Sequence, residues 1–268
     1  MTSPLLHLDG VTKRFGRVVI AEDLSLAVGA GDTVGIVGPN GAGKTSLFGL
    51  ISGDLAPGAG EVRFAGRAVT KLDAAARCRL GIGRTYQVPR PFGDMTVFEN
   101  LLVAAQQGGG LRRRASYTAA AEALERTGIS GQANVAAERL GLLQRKRLEL
   151  ARALATQPTL LLLDEVAGGL TDPEVAQLVE IVRGVNAAGT AVIWIEHVVR
   201  ALTPVVSRLI CLTGGKFVGD GDPATVLADP AVREVFLGSE VTAALAGGTL
   251  EAPPAGPPDR AGAERSEP

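Results

Sequence analysis

Two cysteines, two histidines, two tyrosines and one tryptophan are all that 268 residues contain of those types. Cys78 and Cys211 lie far apart, with no metal-type spacing around either, which removes a disulfide framework and a zinc site as organising features. No apolar run reaches the roughly 18 residues that a membrane-crossing helix needs. Met1 to Gly10 has neither the basic start nor the apolar stretch of a secretory signal. Any membrane association therefore requires other chains to cross the bilayer. Charge of one sign is lacking too: 27 Lys and Arg against 28 Asp and Glu leave a formal net charge of -1, so no overall basic field exists to hold nucleic-acid phosphates, and nucleic acid is not an expected partner. Internal repeats are missing as well.

What is present suits one large globular domain: 46% of residues are hydrophobic and 21% charged. Short extended runs at Leu5 to Leu8, Val18 to Ile20 and Leu24 to Val28 read as an antiparallel β region. Thr33 to Val37 reads as a buried strand that enters a glycine-rich turn and then a helical segment, Ser46 to Ser52, which is the first unit of an α/β fold. From about Val97 to Thr156 the apolar spacing is helical and predicts an inserted helical subdomain. Leu160 to Leu163 and Ala191 to Ile195 are continuously apolar, as parallel strands covered on both faces are, with a helix predicted between them over Pro173 to Asn186. Residues 239–268 turn to Ala, Gly, Pro and charge, too little apolar surface to offset ordering entropy, and are expected to be a disordered tail to a domain spanning 5–238.

Gly38-Pro39-Asn40-Gly41-Ala42-Gly43-Lys44-Thr45 has the spacing of a phosphate-binding P-loop, and its context fits because a strand precedes it and a helix opening with Ser46 follows. Glycines leave the backbone N–H groups free to point inward, and the helix N-terminus adds a favourable dipole. Lys44 then bridges the β- and γ-phosphates and the Thr45 hydroxyl ligates Mg²⁺. The second half of such a site is Leu160 to Leu163 followed by Asp164 and Glu165: an Asp at the carboxyl end of a buried parallel strand reaches the magnesium shell, and the next residue can act as general base. Without the P-loop upstream, Asp164-Glu165 would read as a helix cap.

A P-loop alone fits kinases, GTPases and many ATPases, so the family must come from other elements. Over about Leu5 to Gly238 the chain resembles the ABC ATPases, most closely the ATP-binding subunits of branched-chain amino acid importers. The resemblance implies a P-loop ABC ATPase fold with an antiparallel β subdomain and an inserted helical subdomain, with ATP and Mg²⁺ as ligands. Lys13-Arg14-Phe15-Gly16 looks like the adenine-stacking element, with Phe15 as the aromatic. Arg84-Thr85-Tyr86-Gln87 is similar to the Q-loop, which implies that Gln87 reaches Mg²⁺ or the attacking water while its loop faces a membrane subunit. Trp194-Ile195-Glu196-His197 ends the strand expected beside that of Asp164, and His197 stands where the family keeps a histidine that senses the γ-phosphate. His7 reads as structural.

Two segments depart from the family pattern. Gly168-Gly169-Leu170-Thr171-Asp172 has Thr171 where the D-loop commonly has Asp. Leu140-Gly141-Leu142-Leu143-Gln144 has Gly for Ser and Leu for both glycines of the usual Leu-Ser-Gly-Gly-Gln signature, although Gln144 to Leu154 matches the signature helix. In the family each ATP lies between one subunit's P-loop and the other's signature. The altered signature therefore predicts a heterodimer with a second ATPase subunit whose signature is intact. The resemblance further implies integral membrane permease subunits as partners and a peripheral position on the cytoplasmic face of the cell membrane. The expected function is ATP hydrolysis that energises uptake of branched-chain or other small amino acids or amides. The alternatives are a lipopolysaccharide-export ATPase and a non-transport or regulatory ABC ATPase.

Overall fold

The computed structural model describes residues 3–197 and 199–235. The expected tail, 239–268, lies outside the described residues, as do the last three of the expected domain 5–238. The N-terminal runs form two long strands, β1 (Leu6–Phe15) and β2 (Val18–Val28), paired antiparallel with register shifts after Leu8, Val11 and Lys13. Next come β3 (Thr33–Val37), α1 (Lys44–Ser52), β4 (Ala59–Phe64), β5 (Arg67–Ala68), α2 (Ala74–Arg79) and β6 (Ile82–Arg84). The segment with helical spacing is three helices, α3 (Val97–Val103), α4 (Arg113–Thr127) and α5 (Leu142–Ala155), interrupted by a π-helical turn at Ala104–Gly108 and 3-10 turns at Ser130–Gln132 and Ala137–Arg139. The chain then alternates β7 (Leu160–Asp164), α6 (Asp172–Ala187), β8 (Ala191–Ile195), α7 (Val199–Leu202), β9 (Arg208–Thr213), β10 (Lys216–Gly221) and α8 (Pro223–Ala228).

Two sheets result. One is antiparallel with order β2-β1-β4-β5; the other has order β10-β9-β3-β8-β7-β6, parallel throughout except for the β10 edge. The central strands read as unbroken apolar runs because both faces are covered, and the period of two divides their side chains between two cores. Leu160, Leu162, Ala191, Ile193 and Ile195 pack with α1 and the inner face of the antiparallel sheet. Leu161, Leu163, Val192 and Trp194 pack against the helices α4, α5 and α6.

The parallel register matters most for function. Asp164 is paired with Ile195, so the residues that follow β7 and β8 emerge side by side at the carboxyl edge of the sheet. β3 pairs with β8 on one side and β9 on the other, so the loop leaving β3 opens at that same edge. Buried Arg77 of α2 closes the opposite end of α1 by donating to the carbonyls of Leu50 (2.7 Å) and Ile51 (2.9 Å), with further bonds to Leu72 and Thr70.

Candidate active site

The loop from Gly38 to Gly43 takes its shape from contacts that only glycine permits. A Cβ on Gly38 (φ 152) would sit 2.0 Å from the Leu212 carbonyl oxygen of β9, and one on Gly43 (φ 103) would sit 2.4 Å from the Ile20 oxygen of β2. The loop is thus wedged between two backbones. α1 starts at Gly43 without a side-chain cap and without an acidic residue in its first turn, which leaves its N–H groups and dipole free for an anion. Lys44 is buried, and its ammonium donates to the carbonyls of Gly38 (2.7 Å) and Pro39 (3.0 Å). Burial pushes its pKa down, opposed by the charges of Glu165 and Asp164.

A cavity of about 370 Å³ lies over this loop, lined by Ile20, the stretch from Asn40 to Ser46, Gln87 and Glu165. Glu165 immediately follows β7 in a left-handed conformation (φ 48), a state that costs a non-glycine residue about 1–3 kcal/mol and persists only where surroundings enforce it. Its N–H donates to the Ile195 carbonyl (2.9 Å) and its own carbonyl accepts from Lys146 Nζ (3.2 Å). The carboxylate is gripped from both sides: Oε1 meets Nε2 of His197 at 2.6 Å, and Oε2 accepts from the Gln87 side-chain amide. Gln87 and His197, widely separated in the chain and each lying just beyond the carboxyl end of a parallel strand, therefore converge on one carboxylate.

Asp164 is buried, with Oδ2 on the Arg84 guanidinium at 3.3 Å and Oδ1 without a hydrogen-bond partner among the described residues. Desolvation by burial raises its pKa, with Arg84 acting in the opposite sense. An orphaned carboxylate oxygen on a group that feels the charge of the loop lysine, Lys44, fits a hard divalent cation. Among the described residues no three His, Cys, Asp or Glu side chains cluster as a cage, but magnesium shared with phosphate oxygens needs only one or two protein ligands.

Phe15 stands apart from this cavity, 56% exposed at the end of β1 with Lys13 Nζ 5.3 Å from its ring centroid. Leu142 and Leu143 occupy the first turn of α5 and are not among the non-glycine residues with positive φ, so the left-handed strain those leucines would suffer in a glycine-requiring turn does not arise. Gly141, the N-cap, offers no side-chain cap, and Leu142 is exposed beside Gly169. In the D-loop segment Thr171 caps α6: Glu174 Oε2 accepts from its N–H and its hydroxyl, both at 2.8 Å. The Thr in place of Asp thus has a local helix-starting role.

Sequence reasoning missed Arg84, Thr85 and Lys146 as parts of this assembly. Arg84 bridges Asp54 (2.8 Å) and Asp164; fully buried Thr85 accepts from the Asp164 N–H at 3.2 Å. The only signal for the first two was their place just before Gln87. Lys146 carried one too, a charge on the inward face of an amphipathic helix. A larger groove of about 440 Å³ between α6 and α7 has neither a phosphate loop nor an unpaired acid, and its Arg200 and Asp172 pair with each other.

A family model described as ABC transporter matches residues 21–168. The chain is 34% identical over 253 residues to a high-affinity branched-chain amino acid transport ATP-binding protein, LivG, of Salmonella typhimurium, covering 89% of this chain and 99% of that protein. It is 33% identical to the corresponding BraF protein of Pseudomonas aeruginosa, with the same coverage. A lipopolysaccharide export system ATP-binding protein, LptB, of Acidithiobacillus ferridurans is 32% identical over 89% of this chain and 98% of its own length. Among solved structures, a nucleotide-free ATP-binding cassette from an ABC transporter superposes with a TM-score of 0.81 at 28% identity, covering 87% of this chain and 98% of that one. The ADP conformation of such a cassette matches equally well, at a TM-score of 0.81 and 28% identity over 88% of this chain and all of its own.

Proposed function

Because this chain belongs to the ABC transporter family and is an ATP-binding subunit of that kind, we propose that it hydrolyses ATP over the Gly38 to Thr45 loop and thereby drives uptake of branched-chain or other small amino acids or amides through membrane-spanning partners. It works as a peripheral protein on the cytoplasmic face; no helix among the described residues is long and apolar enough to cross a membrane. The observation that carries the chemistry is the Glu165 carboxylate held between Gln87 and His197 at the wall of the P-loop cavity.

In this reading the α1 N–H groups and Lys44 neutralise phosphate charge, Lys44 exchanging its two loop carbonyls for phosphate oxygens. Glu165 accepts the proton of the attacking water, which the Gln87 amide orients. His197 holds the carboxylate in place and can donate to a phosphate oxygen. Thr45, Asp164 and Gln87 are the residues that would hold Mg²⁺, which supplies charge neutralisation on the β- and γ-phosphate oxygens when bound. Gly38, Pro39, Asn40, Gly41, Ala42, Gly43 and Ser46 complete the phosphate cradle, and Phe15 stacks on the adenine.

The cargo assignment rests on likeness to LivG and BraF, and the export reading is favoured only by the likeness to LptB. Purifying the chain with its co-expressed membrane subunits and measuring ATP turnover separates them. Stimulation by leucine, isoleucine or valine with their binding protein is expected; stimulation by lipopolysaccharide instead would overturn the uptake reading.

The altered signature supports a heterodimer. A serine hydroxyl is missing at Gly141, and Leu142 and Leu143 place bulky side chains at the start of α5 where glycines would let the N–H groups approach a phosphate. This chain's Lys44 and Glu165 would form the fast site with a partner's intact signature, and its own signature the slow one. Lys44→Ala here should then abolish turnover, whereas the equivalent change in the partner's P-loop should cost far less. Equal losses, or brisk hydrolysis by this chain alone, would refute the asymmetry.

A further inference from the structure

Lys146 is an ammonium placed where a helix ordinarily carries an apolar residue. It sits one turn into α5, 5% exposed, among the buried positions that pack the signature helix against the sheet. A buried lysine is retained against a desolvation cost only where partners hold its charge. Here Nζ reaches the Glu165 carbonyl at 3.2 Å and the Gln87 carbonyl at 3.5 Å. The charges of Glu196 and Glu165 face it. Glu196 is itself buried, accepting from the Ala167 N–H (2.7 Å) and from Trp194 Nε1 (3.2 Å).

One side chain thus ties together three segments that lie apart in the sequence: the helix α5, the loop that follows β6, and the residue that follows β7. The tie falls on the peptide of Glu165, which is the residue in the left-handed conformation. A strained backbone holds only while its surroundings over-determine it. The Ile195 carbonyl fixes the N–H of that residue, and Lys146 fixes its C=O.

We propose that Lys146 is a positioning residue for ATP hydrolysis: by clamping the carbonyls of Glu165 and Gln87 from the signature helix, it keeps the Glu165 carboxylate and the Gln87 amide aligned, so that alignment depends on where α5 sits. The inference rests on the reading of Glu165 as general base. It also assigns the signature helix a second task, acting within its own subunit on the carboxylate of its own P-loop site, a task that the departures at Gly141, Leu142 and Leu143 leave untouched.

The test uses the full-length chain in its assembled transporter, with Lys146→Met, which keeps length and apolar volume, and Lys146→Arg, which keeps the charge. Lys146→Met should lower kcat by about tenfold to a hundredfold while KM and affinity for a fluorescent ATP analogue stay within about threefold, the signature of an interaction used in the transition state. Lys146→Arg should recover at least about a third of wild-type kcat, and adding Lys146→Met to Glu165→Gln should cause almost no further loss, because the two act as one unit. For each variant chain purified alone, emission of its single tryptophan, Trp194, bonded to Glu196, reports whether the core is intact. If Lys146→Met does not fold, Lys146→Gln replaces it and must fall below Lys146→Arg by at least about threefold in kcat. A Met variant with wild-type kcat, a KM that rises in step with the fall in kcat, full additivity with Glu165→Gln, or equal Gln and Arg variants would overturn the proposal. Wild-type protein that does not hydrolyse ATP, or that is indifferent to Glu165→Gln, would overturn the reading beneath it as well.

Discussion

Gly43→Ala, compared with Gly41→Ala, separates two reasons for glycine in the phosphate loop. Both residues have positive φ, 103 at Gly43 and 78 at Gly41, so both substitutions carry a left-handed backbone penalty of about 1–2 kcal/mol. Their surroundings differ. A Cβ on Gly41 meets nothing within 4 Å, whereas one on Gly43 lies 2.4 Å from the Ile20 carbonyl oxygen, a backbone atom of β2 that cannot swing aside. Relieving that contact requires the loop or the strand to shift, adding about 1–3 kcal/mol as overpacking does. The expected losses are therefore about 1–2 kcal/mol for Gly41→Ala and about 2–5 kcal/mol for Gly43→Ala. Urea denaturation of the nucleotide-free chain measures the first quantity, and titration with a fluorescent ATP analogue measures the second consequence. Since Gly43 is also the N-cap of α1, its displacement moves the N–H groups that face the phosphates, so affinity should fall further for Gly43→Ala than its stability loss alone implies. Equal destabilisation by the two variants would show that the Ile20 contact does not constrain the loop, and the packing argument for its shape would fail.

Glu165→Gln should keep ATP affinity within about threefold but lower turnover by about 10²–10⁴-fold, as loss of a general base does, with phosphate release as the assay; near-normal turnover in the assembled transporter would remove Glu165 from catalysis. Asp164→Asn should stabilise the nucleotide-free chain at neutral pH. Burial raises the folded-state pKa of Asp164, so the wild-type group stabilises most below the ordinary aspartate value and that stability is lost as pH rises through the raised one. The advantage of the Asn variant in thermal midpoint should accordingly vanish at low pH, and a constant advantage at every pH would exclude an ionisation cause. Arg77→Met, which leaves the carbonyls of Leu50, Ile51, Thr70 and Leu72 without their donor, should cost about 2–4 kcal/mol in chemical denaturation; a loss under about 0.5 kcal/mol would mean water replaces it.

Local features were legible wherever they depend on neighbours in the chain. The glycine pattern of the loop, the apolar runs of β3, β7 and β8 and the amphipathic spacing of α5 and α6 all follow from short-range geometry, and each lies where the sequence placed it to within a few residues. So did the adjacency of the Asp164 and His197 strands, which follows from the connection rules of parallel sheets. Short elements were not legible: β6 is three residues and β5 two, too brief for any periodicity to register, and β9 and β10 owe their places to pairing with β3 and with each other.

The same division runs through the candidate site. Lys44, Thr45, Asp164 and Glu165 could be named from the sequence because their chemistry is tied to fixed spacing around a strand and a helix. The grip on Glu165 could not, since Gln87, Lys146 and His197 approach it from 78, 19 and 32 positions away only after the sheet and α5 have packed. Nor could the left-handed backbone at Glu165, because a non-glycine residue adopts it only when contacts from elsewhere in the fold outweigh the torsional cost. Composition and spacing thus decided which groups this chain offers to the proposed phosphate site. Tertiary packing decided which of them touch, because hydrogen bonds and burial act over a few ångströms of space and are indifferent to distance along the chain.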